Sequence, residues 1–511
     1  MTTTAGNFVE IFTSHSELEL PVQAKITGQI PPWLSGTLIR NGPGKFEFGE
    51  FEYNHIFDGP ALLYRFTIDN GKVEYFNKFL RSKSFLENTK ANRITHMEYG
   101  TNAVPDPCKS IFHRYFSYYF GSDKEKITDN CLVNVIELKK RFYAVSELPV
   151  LWQIDSQSLD VIGKVDVSTD MDDPLDNSLA HPHEEPDGTV YNYGIKRGRF
   201  TKYNIYKVPP RSKESPLEKT MAGAQVICSL SPTKAEAYVH SFGMSESYFI
   251  LLENPFFFSI PRFLARSFFG WTLDKCFYWD PTQLSRIHVL CRKTGKELAV
   301  FTTDPMFVFH HINAFEKNGE IILDVVAYPD GDIMNGLLIQ DMRDFCNKKG
   351  RTEHQIPAGQ FRRYHLPNPA ERGRSTSSEE PHHIFNFEVL YDKMELPRIN
   401  YEHCNTKEYT YVYGLTNTSS SLLYDEIVKI NTFSKEVKTW RFPNHFPSEP
   451  VFVPKPGGVR EDEGVVLSMV IDTANGNTYL LVLDAQTFDE LGRATVPEIG
   501  ASTIHGRFVK N

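Results

Sequence analysis

The sequence predicts an all-β protein folded as a β-propeller, on three observations. Period-two alternation and β-branched or aromatic runs recur along the whole chain, punctuated by its 32 Gly and 31 Pro. A strand, a polar turn and a returning strand repeat at Leu62–Leu80, Leu151–Val167, Ile287–Phe301, Ile427–Phe442 and Tyr479–Val496. Long amphipathic helical patterns are scarce; Thr233–Ala237 and Asp341–Lys348 are short pieces that read as helical. Five hairpins spread over one chain suit the outer strand pairs of propeller blades, because radial repetition leaves antiparallel sheets with only short edges.

Each hairpin has turn chemistry of its own. Asn70-Gly71 and Thr294-Gly295 supply left-handed positions, and Asp/Ser/Thr clusters cap the other turns. A further hairpin, Val465–Ala485, turns at Asn475-Gly476. The starts at 62, 151, 287, 427 and 479 are unevenly spaced, so insertions must interrupt the blades. Asn254–Tyr278 is one, and the more polar Leu366–Ile384 is another. The competing architecture is two β-sandwiches; one propeller domain over residues 1–511 is the reading adopted.

Composition narrows the function. Of 511 residues, 41% are hydrophobic, enough for a large core. Lys+Arg 55 against Asp+Glu 64 leaves a net charge of −9, with no basic excess for nucleic acid. Aromatic residues reach 13%, which implies either a very full core or a long apolar ligand. Seven scattered cysteines without a CxxC pair suit a reducing compartment better than a disulfide scaffold. The N-terminal MTTTAGNFVEIF carries no secretory pattern, and no run of 18 uncharged apolar residues exists. The expectation is a cytoplasmic protein, peripherally associated with membranes.

Common catalytic motifs are absent. No GxxxxGK(S/T), GxSxG or HExxH occurs, and Asn41-Gly42-Pro43-Gly44 runs into an aromatic-acidic stretch instead of a dinucleotide-binding helix. What remains is histidine. His181 and His183, His240, His310 and His311, and His505 sit in strand-like apolar surroundings, with separations of 59, 70 and 195 residues for 181→240→310→505. A propeller brings the innermost strands of distant blades to one axis, where such residues could form an all-imidazole site for Zn, Cu, Fe or Ni. Alternation puts His310 and His311 on opposite faces and His181 and His183 on the same one. Acidic residues embedded in apolar segments, Glu147, Glu395 and Glu449, are candidates to receive the second ring N–H of such ligands.

Taken together, Trp33–Gly44 (WLSGTLIRNGPG), His55–Phe66 (HIFDGPALLYRF), Pro105–Phe112 (PDPCKSIF), Ala180–Gly194 (AHPHEEPDGTVYNYG), YVHSFG, FHHIN, Ser448–Gly457 (SEPVFVPKPG) and Glu461–Ser468 (EDEGVVLS) resemble the carotenoid cleavage oxygenase family. The resemblance runs from about residue 18 to the end. It implies a seven-bladed β-propeller with a helical and loop cap over the iron-bearing face, and non-haem Fe2+ held by His181, His240, His310 and His505. Glu147, Glu395 and Glu449 match the carboxylates that orient three of the imidazoles. Tyr99, Tyr238 and Tyr328 match tunnel-lining positions, and Ser146 stands where a Thr is usual. O2 is the implied co-substrate and a carotenoid the substrate.

Two chemistries are implied by animal members: O2-dependent cleavage of a carotenoid at a central or eccentric double bond, and O2-independent isomerohydrolysis of a retinyl ester. Tyr328 stands where the isomerohydrolase has Trp, which favours the oxygenase. The short polar insertion suggests an isomerooxygenase of the insect kind, cleaving the central 15,15′ bond with trans-to-11-cis isomerisation of one product. A carotenoid-binding propeller without turnover is the third reading. Pro255–Trp279, with seven Phe, two Trp and one Tyr interleaved with Arg262, Arg266 and Lys275, reads as a membrane-facing patch at the tunnel mouth. Ser110–Phe120, within the insertion at about 105–125, would join it, beside an acylable Cys108. A homodimer stays open.

Overall fold

The computed structural model describes residues 8–108, 110, 127–211, 219–347, 358–369, 382–384, 386–417 and 423–510. Seven sheets, numbered here as blades 1 to 7 in chain order, form the propeller, antiparallel except where His382–His383 pairs in parallel with the Glu297–Thr303 strand. Blades 2 to 7 take their core strands in sequence. Blade 2 uses Asn134–Leu138 to Val161–Asp166, blade 3 His183–Glu184 to Gln225–Leu230, and blade 4 Gly243–Met244 to Glu297–Thr303. Blade 5 runs from Phe307–Lys317 to Phe387–Tyr391, blade 6 from Glu395–Arg398 to Val437–Arg441, and blade 7 from His445–Pro447 to Glu490–Val496.

Blade 1 breaks this pattern and closes the ring. Its strands Gly36–Pro43, Ala61–Asp69 and Lys72–Phe79 are joined by the C-terminal strand His505–Lys510, paired from Asn41↔His505 to Gly36↔Lys510. The N-terminal strand Lys25–Gly28 adds to the far edge of blade 7. Both ends of the chain therefore tie the first and last blades together.

The five cassettes are outer strand pairs of blades 1, 2, 4, 6 and 7. Blades 3 and 5 escape that pattern because their outer pairs are split, by residues 209–224 and 368–386. The core lies between blades, not inside one sheet. Ile250, Val289, Leu323 and Val325 fill one such seam, and Tyr413, Ile427, Val470 and Leu481 another. Strands sandwiched in this way are buried on both faces, as Gly36–Pro43 and Gly464–Asp472 are throughout.

One expected helix does not form. Thr233–Ala235 forms a bend and Ala237 bridges to Phe257, the Thr233 N–H donating to Glu253 (3.0 Å) and the Ala237 N–H to the Tyr203 hydroxyl (2.7 Å). These tertiary acceptors replace the intrahelical ones that so short a segment could hardly supply. The second expected helix is present as Ile339–Asn347; Lys348 lies outside the described residues. The aromatic insertion folds as Phe256–Phe258 paired with Phe277–Trp279, with a helix, Ile260–Phe269, between them. Ser259 caps that helix, accepting from the Arg262 N–H, and Gly270 ends it at φ 68°. Residues 370–381 of the Leu366–Ile384 insertion and most of 105–125 lie outside the described residues.

Gly295 illustrates how a turn in one blade serves the next. At φ +69°, a Cβ there would meet the Ile227 carbonyl of blade 3 at 2.0 Å, whereas Gly476, at φ +63°, has nothing within 4 Å. Gly476→Ala is expected to cost only backbone strain, about 1 kcal/mol. Gly295→Ala adds an inter-blade clash and is expected to cost about 3 kcal/mol or more. Thermal midpoints of the two variants at one scan rate check this; equal losses would contradict it.

Candidate metal centre

The four histidines reach the axis from four blades. His310 lies in the innermost strand of blade 5 and His505 opens that of blade 1, while His181 and His240 sit just before the innermost strands of blades 3 and 4. One ligand nitrogen from each lies within 4.8 Å of all the others. Ring centroids are 4.6 Å apart for His181–His240, 4.5 Å for His181–His505 and 5.0 Å for His310–His505.

The second member of each doublet is elsewhere. His311 faces away and its Nδ1 meets the Ser241 hydroxyl at 2.8 Å. His183 is held between the Tyr401 hydroxyl (2.9 Å) and the Phe242 carbonyl (2.8 Å). His181 precedes its strand, so the alternation that would have put it on one face with His183 does not apply.

Glu147, Glu395 and Glu449 each meet the Nδ1 of one ring. Glu395 lies 2.6 Å from His310, Glu449 lies 2.7 Å from His505, and Glu147 bonds His240. An ionised carboxylate only accepts, so Nδ1 carries the hydrogen and Nε2 is left with a free lone pair. Glu449 is completely buried, and burial alone would raise its pKa. Arg398, His505 and Arg40 together hold it well below the usual carboxylate range. Arg40 Nη1 donates to it at 2.7 Å and Arg398 Nε at 2.8 Å. Glu395 is likewise held low against the effect of burial, chiefly by His310.

Neither arginine stands out in the sequence as part of a site. Arg40 lies inside the RNGPG motif, and a charge in an otherwise apolar strand was the available signal.

Two observations test whether a cation fits. His310 Nε2 and His505 Nε2 are 3.3 Å apart, and with both hydrogens committed to carboxylates two lone pairs face each other. His181 Nε2 is buried without a hydrogen-bond partner. Both are resolved by a metal among the rings. Two of the imidazoles are also kept neutral: burial, with the other rings nearby, lowers His181 well below its ordinary pKa, and burial lowers His505 to about 4.

A cavity of about 1480 Å³ opens onto this cluster, and Tyr99, Ser146, Tyr238 and Tyr328 all line it. The Tyr238 hydroxyl donates to Glu147 at 2.8 Å, and burial, with that carboxylate beside it, pushes its pKa well up and keeps it a neutral donor. Tyr99 packs edge-on against His55, with centroids 4.9 Å apart. Tyr328 is buried beside Phe307 and Phe309.

The aromatic insertion meets the cavity through Ile260, Phe263 and Leu264. Leu264 is 75% exposed and Phe268 70%, so this helix presents an apolar outer face. The expectation for its basic residues needs correction. Arg266 is buried, stacked on the Phe263 ring at 3.9 Å, and only Arg262 and Lys275 remain exposed. Cys108 is exposed, whereas Ser110–Phe120 beyond Ser110 lies outside the described residues. Among the described residues, no helix is long and apolar enough to cross a membrane.

Residues 11–510 match the family described as retinal pigment epithelial membrane protein, and relatives are alike over nearly the whole chain. The chain belongs to this family, the carotenoid oxygenases. It is 39% identical to β,β-carotene 15,15′-dioxygenase of Mus musculus, covering 98% of this chain and 91% of that protein. For the Gallus gallus enzyme of that name the figures are 38%, 96% and 95%. For the mitochondrial carotenoid-cleaving dioxygenase of Mustela putorius furo they are 36%, 98% and 96%. Among solved structures, Synechocystis apocarotenoid oxygenase superposes with a TM-score of 0.80 at 24% identity, covering 99% of this chain and 98% of that one, which establishes the same fold.

The buried neutral histidines of this carotenoid oxygenase make a pH prediction. His55, His183 and His505 are each lowered by burial to about 4, so below pH 6.5 the unfolded chain takes up protons that the folded one refuses. Stability of the chelator-treated protein is therefore expected to fall from pH 6.5 towards pH 4, by about 2 kcal/mol per histidine at pH 5. Denaturant midpoints at pH 7 and pH 5 check this; a higher midpoint at pH 5 would contradict it.

Proposed function

We propose that this chain is an iron(II)-dependent dioxygenase cleaving the central 15,15′ double bond of a carotenoid to retinal-type aldehydes, with trans-to-11-cis isomerisation of one product. The observation carrying this reading is the convergence of His181, His240, His310 and His505 on one point beside an aromatic-walled cavity, three of them with carboxylates behind them. The names of its relatives support the bond position and the substrate. The whole chain is read as one propeller unit with cap insertions.

The four Nε2 atoms would hold Fe2+. Bound there, the iron would supply the redox chemistry that O2 and a polyene lack between themselves. The remaining work belongs to this chain. Glu147, Glu395 and Glu449 hold three rings by their Nδ1 hydrogens, fixing tautomer and direction. Tyr238 and Tyr99 flank a path in which flat rings can line a rigid polyene without strain, and the same walls exclude water. Ser146, small and beside Glu147, leaves space near the His240 side of the centre.

The substrate would come from a lipid surface. Ile260, Leu264, Phe268 and Phe269 form an exposed apolar face on the helix that meets the cavity, with Arg262 and Lys275 at its margin. Such a face suits peripheral docking to a membrane.

Iron-loaded protein incubated with all-trans carotenoid under air is expected to release aldehydes, with none under nitrogen. Product that forms equally without O2 would favour retinyl-ester-type hydrolysis and overturn the dioxygenase reading; products of unequal length would favour eccentric cleavage. His240→Ala is expected to lose most bound iron and to drop activity at least about 100-fold. A variant retaining one iron per chain by metal analysis would refute its assignment as a ligand.

A further inference from the structure

The cavity does not end at the metal centre. Phe12, Met342, Phe446 and Ile471, which pack as one apolar cluster, line the same cavity and form the wall of its inner chamber. Two arguments place mouth and chamber on opposite sides of the histidines. The mouth is tied to blade 4: Phe256 and Phe277 pack on Tyr238, two residues before His240. The chamber is tied to blades 7 and 1: Phe446 precedes Glu449, which bonds His505, and Ser502 to Ile504 line the passage next to it. In a ring of seven, blades 1 and 4 are as far apart as two blades can be.

The far wall is built to stay in place. Phe12 belongs to an N-terminal 3₁₀ turn, Phe8–Phe12, and Met342 to the helix Ile339–Asn347 packed against it. Arg343 of that helix clamps the Phe12 carbonyl with two N–H groups, at 3.1 and 2.9 Å, and reaches Glu52 at 3.1 Å. The next residues are tied down as well, with the Phe46 N–H donating to Ser14 (2.8 Å) and the His15 N–H to the Gly44 carbonyl (2.9 Å). Phe12 is only 1% exposed, and so is Ile11 beside it.

A linear polyene offers few polar groups by which a site could recognise one double bond among many similar ones. Its position along the cavity must then be set by where its end stops. We infer that Phe12 and Met342 form the stop that fixes how far the substrate slides past the histidine cluster, and so determine which double bond is cleaved. This rests on the carotenoid-cleavage reading above. The N-terminal segment is thereby part of the specificity apparatus, although it lies outside the blades.

The test uses full-length, iron-loaded protein with β,β-carotene, products being separated by chain length. Wild type is expected to give aldehyde of a single length. Phe12→Ala and, as a second shortening of the same wall, Met342→Ala should let the substrate slide deeper, with aldehydes of unequal length rising to at least a tenth of the product. Phe12→Trp should push it back, raising KM several-fold or shifting the cleaved bond in the opposite direction. Iron content and circular dichroism identify variants that have kept the fold. Folded variants that keep the single product and the wild-type KM, or that bind iron and form no product, would overturn the stop. A wild type that releases no aldehyde would instead overturn the carotenoid-cleavage reading.

Discussion

The buried charge cluster around Glu449 is the interaction on which the rest of this structure depends. One carboxylate of blade 7 accepts from Arg40 of blade 1 and Arg398 of blade 6 while holding the His505 ring. Arg40 also donates to Thr503 (3.1 Å) and to the Ile504 carbonyl (3.0 Å), and Arg398 to the Gly506 carbonyl (2.8 Å). These contacts bridge the seam where the C-terminal strand enters blade 1. Removing one member of such a buried network typically costs about 3–5 kcal/mol, because the partner charge is left uncompensated. Ring closure and ligand orientation thus draw on the same few groups, so the centre can form only when the propeller is complete.

The propeller solves a second problem by the same geometry. Four imidazoles crowded at one point need something between them, and outer carboxylates make that arrangement sustainable by accepting the Nδ1 hydrogens of three of them. Around this centre the wall is aromatic: Tyr238 stacks on Phe307 with an interplanar angle of 6°, and Phe256 stacks on Phe277 at 15°. The 13% aromatic content therefore serves the cavity wall, the apolar helix at its mouth and the inter-blade seams together.

Much of this was legible in the sequence because the signals are local. Asn70-Gly71 and Thr294-Gly295 marked real hairpins, with Asn70, Gly71 and Gly295 all at positive φ. Isolated acids in apolar segments marked the carboxylates that meet the histidines. Blades 3 and 5 were hidden because insertions separate their outer strands, so no short turn announces them. Convergence of residues as far apart as 181 and 505 has no local signature, and resemblance to a family supplied it. Thr233–Ala237 misled because acceptors distant in sequence, Glu253 and Tyr203, decide its backbone. Arg266 misled for a related reason: alternation with aromatics does not reveal that a guanidinium is buried over the Phe263 ring. The chamber behind His505 is assembled from residues 12, 342, 446 and 471 and could be found only in three dimensions.

The central claim is that these four imidazoles, and no carboxylate, bind the metal. X-ray absorption of the protein reconstituted anaerobically with iron(II) tests it most directly, by counting ring scatterers around the absorber. The account predicts one iron per chain with four imidazoles in its inner shell and Glu147, Glu395 and Glu449 outside it. Iron bound by three or fewer imidazoles, or by any of those glutamates directly, would contradict it.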